Sequence, residues 1–180
     1  MTDTRTDVRA LRALAHPLRL RLLDLLRFDG PSTATLLAAR VGESTGSTSY
    51  HLRLLGKYGY VEDVKGDNTG RERWWRYRER RVTLPHGQPD AGRELLGELL
   101  SREAHALDAY LAGRRDDEWD DAAFFHSQAF RLTPGELDQL RRSIEALLKP
   151  LRRADAEEMP DGALPVRVLA FGFSSVADVA

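Results

Sequence analysis

STGSTSYHLRLLGKYGYVE, residues 44–62, predicts a short helix that ends near Gly59 and runs directly into an apolar stretch. Thr48, Leu52 and Leu55 recur at three- and four-residue intervals, which indicates a narrow inward face. The other side of this helix carries side chains that can hydrogen-bond outward, namely Thr45, Ser47, Ser49, Tyr50, His51 and Arg53. A helix that only filled a core would not need them, so we expect a polar partner on that side.

Two further helices are predicted immediately upstream of this one. HPLRLRLLDLLRFDG (residues 16–30) and PSTATLLAARVG (residues 31–42) have apolar residues at helical spacing, and both end at glycine. Ser32 or Thr33 is expected to cap the second of these, and Ser44 is expected to cap the helix that follows. Two helices joined by a tight glycine turn form a helix-turn-helix, whose second helix enters the major groove of DNA.

After Gly59 the hydrophobic period changes from that of a helix to that of a strand. YVEDVK (residues 60–65) and RERWWRYR (residues 71–78) are rich in Val, Tyr and Trp, and the turn GDNTG joins them. The adjacent Trp74 and Trp75 are predicted to point to opposite faces, one of them into the core. The hairpin is therefore a wing, and its basic residues could reach phosphates or the minor groove: Lys65, Arg71 and Arg73.

The second half of the chain is organised differently. PHGQPDAG (residues 85–92) is a connector, and RRDDEWDD (residues 114–121) is most simply a solvated charged link. The long helix between them has an apolar stripe that the domain or a second copy of the chain must cover: Leu96, Leu100, Leu107 and Leu111, with Leu95, Leu99 and Ala104 beside them.

The last segment, residues 122–173, is predicted to form a strand, a helix and a second strand. AAFFHSQAFRL (residues 122–132) and LPVRVLAFGF (residues 164–173) are predicted strands, and TPGE (residues 133–136) begins the intervening helix with a capping box. Its aromatic residues could line an effector cavity but are better explained as a small core: Trp119, Phe124, Phe125, Phe130, Phe171 and Phe173.

These patterns predict a mainly α chain with a small β component, of the α+β class. Residues 1–85 are expected to form a winged helix-turn-helix domain. Residues 86–180 are expected to form a dimerisation or regulatory region, with a long dimerisation helix followed by the small strand-helix-strand unit.

The amino-acid composition excludes several kinds of functional site. The chain has no cysteine, so disulfides, thiolate metal sites and cysteine nucleophiles are excluded. We see neither a secretion signal nor an apolar run of membrane-spanning length, and we expect a cytoplasmic protein without a membrane partner.

The charge is distributed unevenly along the chain. Residues 1–81 contain 16 Lys and Arg against 10 Asp and Glu, a net charge of +6, whereas residues 82–180 contain 11 Lys and Arg against 18 Asp and Glu, a net charge of -7. Only the front half is therefore suited to a polyanion.

ALAHPLRLRLLDLL (residues 13–26), the stretch at residues 44–62 and the basic hairpin form an ordered set that resembles the ArsR-type winged-helix transcriptional regulators. The likeness covers roughly residues 8–81. It implies a homodimer that binds palindromic operator DNA and usually represses, in many members under the control of a bound metal or another signal. By position, it implies DNA contacts by Thr45, Ser47, Ser49, Tyr50, His51 and Arg53 and by the wing residues Lys65, Arg71 and Arg73.

The sequence departs from the metal-sensing members of that family. STATLLAAR (residues 32–40) offers no thiolate where they place cysteines. Glu103, His105 and Asp108 on the long helix lie too close together to match the family's separated ligand pairs and make a poor zinc set. No metal or cofactor is predicted, and a small-molecule effector of unknown identity is left open as a partner.

The prediction is a sequence-specific DNA-binding transcription regulator, a dimeric repressor in preference to an activator, with double-stranded DNA as its partner. The alternative is a winged-helix protein-interaction module that reads no specific DNA and uses its acidic half for contact. An enzyme with its chemistry in the C-terminal unit is a third reading. We predict no enzyme, because the sequence contains no His-Glu-x-x-His, Gly-x-Ser-x-Gly or phosphate-cradling glycine motif.

Overall fold

The computed structural model describes residues 8–64, 72–80, 82, 89–113, 118–151 and 160–174. Chain contacts divide the protein into two units, residues 1–120 and residues 121–180. The elements of the first unit are α1 (Val8–Leu14), α2 (Pro17–Phe28), β1 (Ser32–Thr33), α3 (Ala34–Val41), α4 (Thr45–Lys57), β2 (Val61–Val64), β3 (Trp74–Tyr77), α5 (Pro89–Ala112) and most of α6 (Glu118–Ala122). The second unit contains α7 (Pro134–Leu148) and a 3-10 turn (Lys149–Leu151). The predicted α+β class with a winged helix-turn-helix is confirmed.

Local capping decides where the helices of the first unit begin. The His16 side chain accepts a hydrogen bond from the backbone N–H of Leu18, the Thr33 hydroxyl accepts from Leu36, and the Ser44 hydroxyl accepts from Ser47 at 3.1 Å. Each of these caps satisfies a backbone donor that the first turn of a helix leaves unpaired. α3 ends at Gly42, whose φ of 75° is the left-handed conformation that glycine adopts at low cost. The predicted cap at Ser44 is thus confirmed, and of the two caps predicted for α3, Ser32 or Thr33, the structure uses Thr33.

The core of the first unit lies where α1, α2, α3, α4 and α5 meet the sheet. The largest fully buried apolar side chains are Leu11, Leu22, Leu26, Leu37, Leu52, Leu55, Val61 and Leu95. The hydroxyl of Tyr60 is also buried, and it donates to the backbone oxygen of Ala10 at 3.0 Å, which ties the start of β2 to α1. This packing holds α4 by its Leu52 and Leu55 side and leaves its opposite side toward solvent.

The sheet has the antiparallel order β1-β3-β2. Trp75 of β3 lies opposite both Ser32 and Asp63 and is buried, while Trp74 is only half-buried, so the predicted split of the two rings is confirmed. β1 has no signal in the sequence, because two polar residues carry no strand pattern and their pairing partner lies about forty residues downstream. The turn at residues 66–70 lies outside the described residues.

The long helix α5 packs on α1 and α2 through Ala91 and Leu95. Farther along, Arg102 forms an ion pair with Asp24 of α2 at 3.3 Å. The remaining part of the predicted stripe is open, since Leu100, Leu107 and Leu111 are 50%, 39% and 49% exposed. α5 therefore belongs to the same contact unit as the helix-turn-helix, while the boundary predicted between residues 85 and 86 stays a prediction.

The second unit contradicts two predictions about its strands and core. α7 forms with the predicted capping box, in which Thr133 and Glu136 satisfy each other's backbone donors. The strands predicted over residues 122–132 and 164–173 are wrong, because the structure assigns no strand to either segment. The predicted aromatic core is also wrong: five of its six residues are exposed, namely Phe124, Phe125, Phe130, Phe171 and Phe173. Trp119 is half-buried and belongs to the first unit. A strand needs a hydrogen-bonded partner, and the described part of this unit provides no ladder for either segment.

Candidate nucleic-acid interface

The outer side of α4 presents a row of side chains that can form hydrogen bonds. Thr45, Ser49 and Arg53 recur at four-residue intervals and share one side of the helix. Thr45 and Arg53 are exposed, Ser49 is half-exposed, and the neighbouring Tyr50 is 62% exposed. Thr48 on the inner side is fully buried, so the inward face predicted from spacing is confirmed. Burial of Thr48, Leu52 and Leu55 fixes the rotation of α4 about its axis and directs the polar row outward.

His51 has a different environment from the other α4 candidates. Its ring lies against that of His16, the capping residue of α2, with 4.7 Å between the ring centroids. The Nδ1 atom of His51 is buried and has no hydrogen-bond partner among the described residues. Burial, followed by the positive charges of His16 and Arg19, lowers the pKa of His51. The imidazole is therefore held neutral at the α2–α4 contact.

The wing places a second cationic group beside α4. Arg73 is exposed and forms an ion pair with Asp63 of β2 at 2.8 Å, and its guanidinium lies 5.4 Å from the ring centroid of Trp75. Exposed ion pairs of this kind contribute only about 0–1 kcal/mol, so Arg73 can exchange Asp63 for a phosphate at little cost. Lys65 and Arg71, the other wing candidates, lie outside the described residues.

A shallow cleft of about 500 Å³ connects α3, α4 and the wing. It brings together three of the predicted α4 residues with Arg73, and its lining consists of Thr33, Ala34, Thr35, Thr45, Ser49, Arg53, Glu72, Arg73 and Trp75. Ser47, Tyr50 and His51 do not line this cleft. The cleft is polar and opens beside the exposed side of α4, which suits a strand of nucleic acid backbone passing between the helix and the wing.

Two residues of this cleft were missed by the sequence analysis. Thr35, in the first turn of α3, donates a hydrogen bond from its hydroxyl to the carboxylate of Glu72 at 3.1 Å. This bond ties the segment just before β3 to α3, the helix that precedes α4. The only sequence signal for Thr35 was its position within the capping segment PSTAT. Glu72 had no signal of its own, because it lies in a segment whose other charged residues are mostly basic.

Metal sites and membrane-spanning helices were also considered for the described part of the chain. No group of three His, Asp or Glu side chains there could hold a metal ion, and no helix there is long and apolar enough to cross a membrane. Glu103 and His105 of α5 are engaged locally, Glu103 with Arg102 at 2.6 Å and the Nδ1 of His105 with the backbone oxygen of Ser101 at 2.7 Å.

A family model described as a helix-turn-helix domain matches residues 14–64, from the last residue of α1 to the end of β2. No curated protein matches the chain. Among solved structures, an apo mutant of Lactococcus lactis ZitR is 17% identical, with 76% of this chain and 83% of that chain covered at a TM-score of 0.37. RV1404 from Mycobacterium tuberculosis is 15% identical, with 82% and 85% covered at a TM-score of 0.35.

The family match spans α2, α3, α4 and β2 and therefore includes the polar row of α4 that the geometry places outward. Residues 14–64 contain a helix-turn-helix domain, and this supports a DNA-binding transcription regulator.

Proposed function

We propose that this protein is a sequence-specific transcription regulator that binds a palindromic operator as a homodimer and represses by blocking a promoter. The observation that carries the proposal is the two-sided α4 helix, whose Leu52 side is fully buried and whose Thr45 and Arg53 side is exposed beside the wing. A recognition helix needs this arrangement, because it must be anchored in its domain while its polar side meets base edges.

The α4 residues are expected to divide the work of recognition. Arg53 suits a phosphate or the O6 and N7 atoms of guanine, and Thr45 and Ser47 near the start of α4 suit close approach to bases. Tyr50 can offer its hydroxyl to a phosphate or its ring to a thymine methyl group. Arg73, with Lys65 and Arg71, is expected to contribute affinity through phosphate contacts with little sequence preference.

The dimer is supported by the open part of the α5 stripe. Leu100, Leu107 and Leu111 are exposed at helical spacing, and a second copy of α5 would cover them. Two recognition helices related by a two-fold axis would then read half-sites about 34 Å apart, one turn of DNA. A cytoplasmic location follows from the proposed role at a promoter.

The first test is selection of bound duplexes from a random DNA library, followed by affinity measurements on the recovered site. We expect a near-palindromic motif, and we expect Arg53→Ala combined with Tyr50→Ala to weaken specific binding by about 100-fold at fixed salt, from two contacts worth about 1–3 kcal/mol each. Arg93→Ala is the control, since Arg93 is exposed on α5 and pairs with Asp90, three residues before it on the same helix, at 3.1 Å.

Unchanged specific binding in the double variant would contradict the assignment of α4 as the recognition helix. A different result would favour the alternative function, a winged-helix module that binds a protein partner. That result is a selection that recovers no DNA motif, together with residual DNA binding that does not weaken as salt is raised.

A further inference from the structure

The cleft between α3, α4 and the wing carries an acidic side chain among its basic ones. Arg53 of α4 and Arg73, just before β3, line it with positive charge, and Glu72 lines it with a carboxylate. All three residues are exposed. A DNA backbone that enters this cleft therefore meets both signs of charge.

The Glu72 carboxylate is held in the cleft by a neutral partner. The hydroxyl of Thr35, which also lines the cleft, donates a hydrogen bond to it at 3.1 Å. Thr35 lies in the first turn of α3, and α3 packs against α2 and α4. The hydrogen bond thus anchors the carboxylate to the rigid part of the domain, on the side of the cleft opposite the free end of the wing.

No ion pair neutralises Glu72 within the described part of the chain. The nearest arginine in sequence, Arg73, pairs with Asp63 of β2 at 2.8 Å instead. Arg53 forms no ion pair or hydrogen bond with any described residue. A hydroxyl satisfies a carboxylate oxygen without cancelling its charge, so Glu72 keeps its negative charge in the space that the phosphates are to occupy.

A phosphate in this cleft would be attracted by the two guanidinium groups and repelled by the carboxylate. Two exposed unit charges about 4 Å apart in water change an equilibrium constant by about fivefold. The repulsion acts on the sugar-phosphate backbone, which is the same for every DNA sequence. It would therefore weaken specific and non-specific binding alike.

We infer that Glu72 limits the affinity of the cleft for DNA phosphates and so keeps backbone binding weak, with Thr35 as its positioning residue. This inference rests on the DNA binding of the proposed function and adds to it a side chain that opposes the complex. With the backbone held weakly, a stable complex depends on the base contacts of the exposed side of α4.

Glu72→Gln in the full-length protein tests this role. The substitution removes the charge and keeps a side-chain oxygen that can accept from Thr35. We expect the dissociation constant to fall about fivefold, both on the selected site and on an unrelated duplex. The plot of log association constant against log salt should become steeper by at most about 0.9, the value for one further neutralised phosphate. Fluorescence anisotropy on the two duplexes measures both quantities.

Glu94→Gln is the matched control, because it makes the same change of charge outside the cleft. Glu94 is exposed on α5, pairs with Arg12 at 3.8 Å and does not line the cleft. At about 0.1 M salt, exposed charges are screened over about 10 Å, so this variant should bind both duplexes like the wild type. Glu72→Lys, which changes the charge by two, should tighten binding about 25-fold.

The inference is overturned if Glu72→Gln binds the two duplexes no more tightly than Glu94→Gln does. It is also overturned if Glu72→Gln loses affinity for the selected site alone, because the carboxylate would then accept from a base, as from N4 of cytosine.

Failure of this inference differs from failure of the proposed function. A wild-type protein that selects a motif, with Glu72→Gln no tighter, contradicts the role of Glu72 and leaves the regulator standing. A wild-type protein that selects no motif, but whose salt-dependent binding to any duplex tightens in Glu72→Gln, supports the role of Glu72 and contradicts sequence-specific regulation.

Discussion

His16 and His51 pack against each other where the start of α2 meets α4, with 4.7 Å between their ring centroids. His16 caps α2 through Nδ1, which accepts from the backbone N–H of Leu18 at 3.2 Å, so this nitrogen has to be unprotonated. Burial and the charge of Arg19 lower its pKa, opposed by Glu98 and Glu43. For His51, burial, His16 and Arg19 lower the pKa and Glu43 opposes them. The ring of Tyr50 also lies 5.3 Å from that of His51. Both imidazoles thus stabilise the fold only when neutral.

Acidification is therefore expected to destabilise the winged helix. A folded pKa below the unfolded value of about 6.5 means that the stability is fully present above pH 6.5 and is lost as the pH falls through the folded pKa. We expect the melting temperature to fall as the pH drops below about 6.5, the unfolded pKa. His16→Asn keeps a capping acceptor that does not titrate, and it should flatten this dependence. A melting curve of His16→Asn with the wild-type pH slope would show that His16 is not responsible.

The recognition helix and the wing are joined by a tight contact at Gly56. A Cβ atom at this position would lie 2.9 Å from Cζ3 of Trp75, whose ring is buried in β3. The absence of a side chain there allows β3 to approach α4, and this approach positions Arg73 beside Arg53 at the cleft. The geometry of the interface thus depends on a residue that contributes no functional group to it.

Gly56→Ala is expected to destabilise the protein by about 1–3 kcal/mol, because the rigid indole has to move. Gly97→Ala makes a matched control on α5, where a Cβ atom meets nothing within 4 Å. That substitution should stabilise the helix by about 0.5–1 kcal/mol. Urea denaturation of the two variants measures both effects, and equal stabilities would show that the Trp75 contact is not tight in solution.

The distribution of charge over the chain predicts how the protein responds to salt. Residues 1–81, which include the polar row of α4, have a net charge of +6, whereas residues 82–180 have a net charge of -7. DNA should therefore meet the basic segment, residues 1–81, from the α4 side.

The logarithm of the DNA association constant should accordingly fall linearly with the logarithm of salt concentration, with a slope of about -0.9 for each phosphate contacted. Arg73→Ala is expected to make the slope shallower by about one and to weaken binding to all sequences alike. Fluorescence anisotropy at several salt concentrations on the selected site and on an unrelated duplex measures both effects. A loss confined to the selected site would mean that Arg73 reads bases.

The sequence was sufficient for those features whose cause is local. Caps at Thr33 and Ser44, the glycine stop at Gly42 and the capping box at Thr133 satisfy backbone groups within a few residues, so their patterns predict helix boundaries without knowledge of the fold. The inward face of α4 is equally readable, because helical spacing alone places Thr48, Leu52 and Leu55 together.

Only the tertiary structure decided which distant segments meet. β1 forms because Ser32 and Thr33 pair with Trp75 and Trp74 of β3. Residues 164–173 form no strand, because no described segment of the second unit pairs with them. The positions of His51 against His16 and of Glu72 against Thr35 likewise depend on contacts across many residues. Strand pairing and side-chain packing are non-local, and their energy depends on a partner that the pattern of a single segment does not specify.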